Sequence, residues 1–216
     1  MTKQTQDFPY SFDKKDVKVV AKESLFSRFF KVSLVSFQHR LFAGGWSEVV
    51  QRELFERGDA VVVLPYDPVA DEIIMIEQIR IGCIENAEHP WAFELVGGMV
   101  DEGQTIESVA HRETQEETGL LIDELVPMQS YLSSCGGTSE RIYLYLAKVD
   151  ATKAADICGL DYEHEDIRVH RFCRKQVMHW LDAGKIENAS ALIALQWFKL
   201  HHKMIEQTWA AQNETI

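Results

Sequence analysis

Hydrophobic and polar positions alternate over short blocks along most of this chain, which is typical of β-strands. Residues 17–50 alternate loosely and predict two or three strands, with a turn at Gly44-Gly45. Asp67-Pro68 predicts a second turn, which would join its two flanking strands as a hairpin. The further predicted strands are 60–64, ending at Pro65; 72–79; 91–96, closed by Gly97-Gly98; 120–123; about 126–132; 141–149; and 167–172.

Helical spacing is confined to one central and two terminal segments. The central helix is predicted over 106–118, where Thr105 can cap the first turn and Gly119 can end the last. The terminal helices are predicted at about 174–183, ending at Gly184, and from after Asn188 to about Trp209. A polar, acidic loop is predicted at roughly 153–166. Strands followed by a central helix, more strands and two helices indicate an α+β fold.

Composition narrows the possible functions. The chain has 216 residues, which predicts one domain or one domain with a small appendage. It carries 22 Lys and Arg against 34 Asp and Glu, a formal net charge of −12. This charge argues against nonspecific binding to nucleic acid or to an anionic membrane. A phosphorylated small molecule stays possible, because a bound divalent cation can reverse the local charge.

No export or membrane segment is expected from the sequence. The apolar stretches are short strands such as 60–64, far below the roughly 20 residues that a membrane span needs. Residues 1–16 are polar and lack an apolar signal region. Because no two of the four cysteines form a CxxC pair, we expect no structural zinc site. With no export signal, we expect the cysteines to be reduced thiols in a cytoplasmic protein. The cysteines are Cys83, Cys135, Cys158 and Cys173.

The central helix has an acidic continuation of its apolar stripe. Six residues fall within about a third of its circumference: Ile106, Val109, Ala110, Glu113, Glu116 and Glu117. Glu113 forms like-charge pairs with both other glutamates, each costing roughly 0.2–0.5 kcal/mol even when exposed. The two later glutamates also lie at the helix C-terminus, where the dipole favours cations. A solvated acidic face is the alternative, but the apolar half of the stripe favours a bound hard cation such as Mg²⁺.

The segment from Gly98 to Leu120 resembles the Nudix box: Gly, five residues, Glu, seven residues, then Arg-Glu-apolar-x-Glu-Glu-x-Gly-apolar. The spacing matches throughout, with Arg112-Glu113-Thr114-Gln115-Glu116-Glu117-Thr118-Gly119-Leu120 as its second half. Gln104 stands where the box has its first Glu, and Thr114 stands at the apolar position. Since that first Glu is not usually a direct metal ligand in the family, we expect weakened support for the site rather than loss of function.

The resemblance extends over about residues 20–209 and is to bacterial ADP-ribose pyrophosphatases. It rests on the strands before the box and on four later segments: Gly136–Arg141, Glu163–His170, Gly184–Ser190 and the helix from Trp197 to His202. Cys135 departs from this pattern, because ADP-ribose-directed members typically carry a Pro about fifteen residues past the box.

The family implies a Nudix-type α/β/α sandwich with a mixed sheet and a small N-terminal antiparallel β-sheet subdomain. The implied boundaries are 1–56 for the N-terminal subdomain, 57–209 for the hydrolase domain and 210–216 for a tail. The resemblance further implies a homodimer in which the N-terminal subdomains are exchanged between protomers.

The implied activity is hydrolysis of ADP-ribose to AMP and ribose 5-phosphate with Mg²⁺, or with Mn²⁺. By resemblance, the metal ligands are the carbonyl of Gly97 with Glu113, Glu116, Glu117 and Glu165. The implied general base is Glu163, with Glu165 and Glu116 as the other catalytic candidates. The implied substrate-binding residues are Arg80 for phosphate, Phe29 and Arg52 of the other subunit for adenine, and Glu140. Read without the resemblance, Glu163 is an ordinary acidic loop residue and Arg80 an ordinary charge at the end of a strand.

Two other functions stay open at this stage. The chain could cleave another nucleoside diphosphate derivative, such as an ADP-sugar, another sugar nucleotide or a dinucleotide. It could instead be a ligand-sensing module with a degenerate box, which only Gln104 favours. The intact Arg112, Glu113, Glu116 and Glu117 argue against the sensing module.

Overall fold

The computed structural model describes residues 8–85 and 87–213. The chain forms two compact units. The first consists of the chain up to Arg57 together with Ser133–Glu140. The second consists of Gly58–Leu132 and the chain from Arg141 onward. No helix among the described residues is both long enough and apolar enough to cross a lipid bilayer.

The first unit is built on a three-stranded antiparallel sheet, in agreement with the two or three strands predicted. Its strands, in order across the sheet, are β1 (Val17–Ser27), β2 (Lys31–His39) and β3 (Val50–Glu56). The predicted turn at Gly44-Gly45 lies between β2 and β3, and both glycines adopt positive φ angles, of 94° and 82°. Every residue of β1 is exposed, whereas the central strand β2 contains the buried Ser33 and Ser36.

The second unit contains an eight-stranded mixed sheet with two helical layers. Its strands are β4 (Asp59–Asp67), β5 (Glu72–Ile79), β6 (Trp91–Glu94), β7 (Val96–Val100), β8 (Glu124–Leu132), β9 (Arg141–Lys148), β10 (Ile157–Cys158) and β11 (Ile167–Cys173). The main order is β10-β11-β5-β4-β9-β8, while β6 pairs with β5 and β7 pairs with β4. Only the β4–β9 pair is parallel among the strands described here.

Three helices cover the two faces of this sheet: α1 (Ile106–Thr118), α2 (Arg174–Asp182) and α3 (Ala189–Asn213). On one face α1 packs through Val109 and Ala110 against strand residues such as Val61 and Ile76. On the other face α2 and α3 enclose a second core, with Leu195 and Phe198 among its fully buried side chains. The helix–sheet–helix layering confirms the predicted α+β sandwich.

The predicted ends of α1 are confirmed. The Thr105 hydroxyl accepts a hydrogen bond from the Ser108 amide at 3.1 Å, which satisfies one free donor of the first turn. Gly119 adopts a left-handed conformation with φ of 73° and donates its amide to the Gln115 carbonyl. A glycine is suited to this position because a side chain would strain the backbone there.

Two strand predictions were wrong because pairing partners change along the chain. The predicted strand 91–96 is two strands, since the chain leaves β5 at Glu94 and joins β4 at Val96, and Gly97-Gly98 lie inside β7. The predicted strand 60–64 continues through Pro65 to Asp67. Pro65 is tolerated because β7 ends its pairing opposite Val63 and β5 begins opposite Tyr66, so that edge needs no N–H donor at Pro65.

Other boundaries also differ from the prediction. No strand forms at 120–123. Leu120, which directly follows the C-cap residue of α1, is buried in the core, and strand pairing begins only at β8. The predicted acidic loop contains the two-residue strand β10, which is too short to show a period. The last helix continues past the predicted end at Trp209 to Asn213, while 214–216 of the predicted tail lie outside the described residues.

Candidate active site

Two glycines of β7 allow α1 to approach the sheet closely. A Cβ on Gly98 would lie 1.8 Å from the Glu113 Oε1 atom, so the glutamate carboxyl occupies the space that a side chain would fill. A Cβ on Gly97 would lie 3.0 Å from the Val61 carbonyl oxygen of the neighbouring strand. The Gly97 amide donates a hydrogen bond of 2.9 Å to Glu117 Oε2. The glycine pair therefore brings two of the predicted ligands against the strand backbone.

Glu117 is the most buried of the predicted ligands, with 3% of its surface exposed. Burial raises the pKa of its carboxyl well above the ordinary value of 4.5. The hydrogen bond from Gly97 opposes this rise, and the charges of Glu113 and Glu165 add to it. Burial also raises the pKa of Glu113, in spite of the neighbouring Arg112. Both carboxylates therefore stay ionised at a cost unless a cation approaches them.

Arg112 bridges two glutamates of the same helix. Its guanidinium lies 2.8 Å from Glu113 Oε1 and donates a 2.7 Å hydrogen bond to Glu116 Oε2. The sequence analysis identified these carboxylates but not that one arginine side chain would contact both. Arg112 is more than a third exposed, so the pairing is screened by water and worth at most about 1 kcal/mol. It offsets part of the like-charge repulsion on this face of α1.

The loop before β11 brings Glu165 to the same cluster. Glu165 is half-buried, and its charge contributes to the raised pKa of both Glu113 and Glu117. The close loop packing requires Gly159, where a Cβ would lie 2.7 Å from the Glu165 carbonyl oxygen. Glu163 lies at the end of a single 3-10 turn and is exposed. Its side chain makes no hydrogen bond or ion pair with a described residue, so the structure associates Glu165, rather than Glu163, with the helix carboxylates.

The oxygen donors of this cluster suit a hard divalent cation, although their side chains do not converge on one point in this conformation. Among the described residues, no three Asp, Glu, His or Cys side chains are close enough together to hold a metal ion. The reason is local: Arg112 holds Glu113 and Glu116, while the Gly97 amide holds Glu117. The donor set still fits, because buried, acidic oxygens lacking a full counter-charge are what Mg²⁺ or Mn²⁺ prefers.

Arg80 lies just after β5 and is fixed by a carboxylate that the sequence analysis missed. Its Nε atom donates a 2.7 Å hydrogen bond to Glu94 Oε2, and the other Glu94 oxygen accepts one of 2.7 Å from Asn188 Nδ2. The positive charge of Arg80 also lowers the pKa of Glu117, opposing the effect of burial. A glutamate inside the apolar run from Trp91 to Val96 was the available signal, since a buried carboxylate needs a partner.

The other predicted substrate-binding residues belong to the first unit. The Phe29 ring is 82% exposed and meets Phe30 edge-on, with 4.7 Å between ring centroids. Arg52 is exposed and donates a hydrogen bond to the Gln51 carbonyl. Glu140 is buried, and its Oε1 atom lies 3.0 Å from Arg57 Nε. Phe29 and Arg52 are therefore free to meet a ligand, whereas Glu140 already has a partner within its own unit.

The chain is similar to known proteins over most of its length. The model of the NUDIX domain family matches residues 47–201. The chain is 50% identical over 204 residues to the ADP-ribose pyrophosphatase of Escherichia coli K12, covering 94% of this chain and 98% of that protein. It is 42% identical to the ADP-ribose pyrophosphatase of Haemophilus influenzae, covering 92% and 93% of the two chains.

More distant similarity extends to other activities and to a solved structure. The GDP-mannose pyrophosphatase of Enterobacter sp. 638 is 27% identical over 151 residues, covering 69% of this chain and 78% of that protein. A crystal structure described as an ADP compounds hydrolase superposes with a TM-score of 0.68 at 21% identity, covering 89% and 97% of the two chains. At that identity the superposition shows the fold alone. The family match and the near full-length relatives confirm the resemblance seen in the Gly98–Leu120 segment, and this chain belongs to the NUDIX domain family.

Proposed function

We propose that this protein hydrolyses the pyrophosphate bond of ADP-ribose, yielding AMP and ribose 5-phosphate. The observation that carries the proposal is the pair of carboxylates of Glu113 and Glu117 packed against the Gly97-Gly98 backbone, with the charge of Glu165 acting on both. The two relatives matched over more than 90% of this chain are named ADP-ribose pyrophosphatases, which confirms the activity predicted from the sequence.

The cluster is proposed to hold Mg²⁺, with Mn²⁺ as a possible substitute. Glu113, Glu116, Glu117, Glu165 and the Gly97 carbonyl would hold it. When bound, a divalent ion neutralises phosphate charge and lowers the pKa of a bound water. Arg112 is proposed to keep Glu113 and Glu116 oriented, since it contacts both carboxylates. Buried Glu117 is held by the Gly97 amide, so its position does not depend on the metal.

Proton removal from the attacking water is assigned to the loop before β11. Glu163 is the proposed base, because it lies on an exposed turn and its carboxylate has no partner among the described side chains, and Glu165 is the alternative. The half-buried position of Glu165 near Glu113 and Glu117 supports a metal-contacting role for it. Glu116, held by Arg112, is a third carboxylate able to accept the proton.

Arg80 is proposed to bind the diphosphate. Its guanidinium is about half exposed, and the two terminal nitrogens make no hydrogen bond to a described residue. A guanidinium with two free, coplanar N–H groups matches two phosphate oxygens. Phe29 and Arg52 are proposed to hold the adenine between an aromatic ring and a guanidinium, which is a sequence-tolerant way of stacking a base. Glu140 remains a predicted substrate contact that would have to leave Arg57 or share it.

We also propose a homodimer in which the N-terminal sheets are exchanged and each supplies Phe29 and Arg52 to the other subunit. The first unit presents many large apolar side chains to solvent in the single chain, which is typical of an interface. Those on β1 and the following turn are Val17, Val19, Val20, Leu25, Phe26 and Phe29. Sedimentation velocity at assay concentration should give a dimer, and a fully active monomer would refute this assignment.

Cytoplasmic location is part of the proposal. All four cysteines are unpaired, which fits a reducing compartment.

A substrate panel tests the proposed function. The purified chain is incubated with Mg²⁺ and ADP-ribose, ADP-glucose, GDP-mannose or a dinucleotide, and nucleotide and phosphosugar products are separated by chromatography. ADP-ribose should give the highest kcat/KM, with AMP and ribose 5-phosphate in equal amounts, and EDTA should abolish turnover. Preference for GDP-mannose would favour the activity named in the more distant relatives. Absence of cleavage with every compound would favour a sensing module.

A further inference from the structure

Glu94 connects the end of the β5 strand to the start of α3. Its Oε2 atom accepts a hydrogen bond from Arg80 Nε at 2.7 Å. Its Oε1 atom accepts one from Asn188 Nδ2, also at 2.7 Å. The glutamate is 8% exposed, so both bonds are largely shielded from water. Each carboxylate oxygen therefore has one donor, and each donor comes from a different element.

Asn188 has a second bond that fixes its orientation. Its Oδ1 atom accepts a hydrogen bond from the Ala191 amide at 3.0 Å, and its backbone carbonyl accepts from the Leu192 amide at 2.9 Å. Asn188 is therefore the N-cap residue of α3. Because the side-chain oxygen of Asn188 accepts the capping hydrogen bond, its side-chain nitrogen must be the atom that faces Glu94. The helix cap therefore fixes which groups donate and which accept in this network.

The contact with Glu94 uses one particular edge of the Arg80 guanidinium. Only Nε is engaged, and the two terminal nitrogens bond to no described residue. A guanidinium held through Nε keeps its terminal N–H pair as a planar fork, which is the arrangement that matches two phosphate oxygens. Because the fork is held before the ligand arrives, less side-chain freedom is lost on binding.

We propose that Glu94 is a positioning residue for diphosphate binding, anchoring Arg80 to the N-cap of α3 through Asn188. This inference deepens the proposed function and rests on its assignment of Arg80 to the phosphates. Glu94 would not touch substrate, since both of its oxygens are occupied by protein donors. Its loss would weaken the capture of any diphosphate, whichever sugar is attached.

The test measures Mg²⁺-dependent binding of inorganic pyrophosphate by titration calorimetry. Glu94→Leu removes both acceptors at similar volume and should weaken binding by about tenfold to a hundredfold, the range of one charge-assisted bond. Arg80→Ala should have a similar effect, and the double variant should bind no more weakly than Arg80→Ala alone. Glu77→Leu is the matched control, because it removes a carboxylate of the neighbouring strand that bonds only to His170 among described side chains.

Exchanging the donor and acceptor groups of residues 94 and 188 distinguishes a positioning role of Glu94 from a general effect on stability. In Glu94→Gln alone, the glutamine offers one acceptor and one donor, whereas Arg80 and Asn188 both need an acceptor, so one of the two hydrogen bonds must be lost. Combined with Asn188→Asp, the glutamine can accept from Arg80 and donate to Asp, which also remains a good N-cap. This pair should bind pyrophosphate within about threefold of wild type and more tightly than Glu94→Gln alone. If Glu94→Leu does not fold, as judged by circular dichroism, this comparison carries the test.

Three results would overturn the proposal: unchanged pyrophosphate affinity in folded Glu94→Leu, losses that multiply in the double variant with Arg80→Ala, or an exchange at residues 94 and 188 that binds no better than Glu94→Gln. If the wild-type protein binds pyrophosphate but does not cleave ADP-ribose, the proposed function is refuted while the positioning role of Glu94 still stands.

Discussion

The substitution Gly98→Ala tests whether the position of Glu113 depends on a missing side chain. The added methyl would lie 1.8 Å from Glu113 Oε1, 2.2 Å from Cδ and 2.6 Å from Cγ. Since ordinary contact begins near 3.4 Å, the carboxylate must retreat by about 1.6 Å, which is 3.4 minus 1.8. A misplacement of about 1 Å at a catalytic group can cost roughly a hundredfold in rate. We therefore expect the kcat for ADP-ribose to fall by about a hundredfold or more.

The same substitution should change stability little. Gly98 lies inside β7 and is not among the glycines with positive φ, so alanine can adopt its backbone conformation. Replacing a strand glycine gains about 0.5–1 kcal/mol from the unfolded state. The displaced Glu113 loses its part-exposed pair with Arg112, which is worth about 0–1 kcal/mol. Because these effects oppose each other, the free energy of unfolding should stay within about 1 kcal/mol of wild type.

The assay combines steady-state hydrolysis with urea unfolding. Gly82→Ala is the control, since nothing lies within 4 Å of the methyl it adds; its rate should be unchanged, and its free energy of unfolding should rise by no more than about 1 kcal/mol. In the Glu113→Ala background, Gly98→Ala should add no further loss of rate, because the clashing atoms are gone. Near-normal turnover in Gly98→Ala would refute the reasoning, as would a stability loss of several kcal/mol, which would mean that the backbone rather than the carboxylate had moved.

Three further outcomes are expected. Glu117→Gln should nearly abolish turnover. It should also raise the free energy of unfolding of the metal-free protein by about 1–3 kcal/mol, because it removes a buried carboxylate that the charges of Glu113 and Glu165 repel. Urea unfolding in the presence of EDTA measures this change. Glu163→Gln should lower kcat by roughly 10²–10⁴ with little change in KM, whereas a larger effect of Glu165→Gln would reverse the assignment of the base. The stability that neutral His202 contributes should be lost as the pH drops below 6.5, because burial and the Arg174 charge lower the pKa of His202 in the folded state and the unfolded chain then binds more protons. The stability that ionised Asp71 contributes should be lost below pH 3.8. Burial alone would raise the pKa of Asp71, but hydrogen bonds from Arg174 and Tyr66 outweigh burial and lower it. In His202→Gln the loss that begins near pH 6.5 should be missing from urea unfolding curves.

Local features of the chain were predictable from its residues. Helix α1, its cap at Thr105 and its end at Gly119 were predicted correctly, because helical hydrogen bonds join residues only four apart. The acidic stripe of Glu113, Glu116 and Glu117 follows from the same spacing. The family resemblance covered what spacing could not, including Arg80 and the loop carboxylates. Residue spacing alone could not tell which of Glu163 and Glu165 lies with the helix carboxylates, because both occur in one short acidic loop; only the resemblance assigned Glu165 to the metal.

The sequence by itself determined the α+β class, the Nudix motif and the helix that carries it, because these depend on near neighbours in the chain. The tertiary structure alone decided how the region from Trp91 to Val100 divides between β5 and β4, because strand pairing joins distant segments. It also decided that Glu94 holds Arg80 and Asn188, although Glu94 and Asn188 lie 94 positions apart. A buried carboxylate must find donors, but the sequence does not say which ones, since only folding brings them within hydrogen-bond distance.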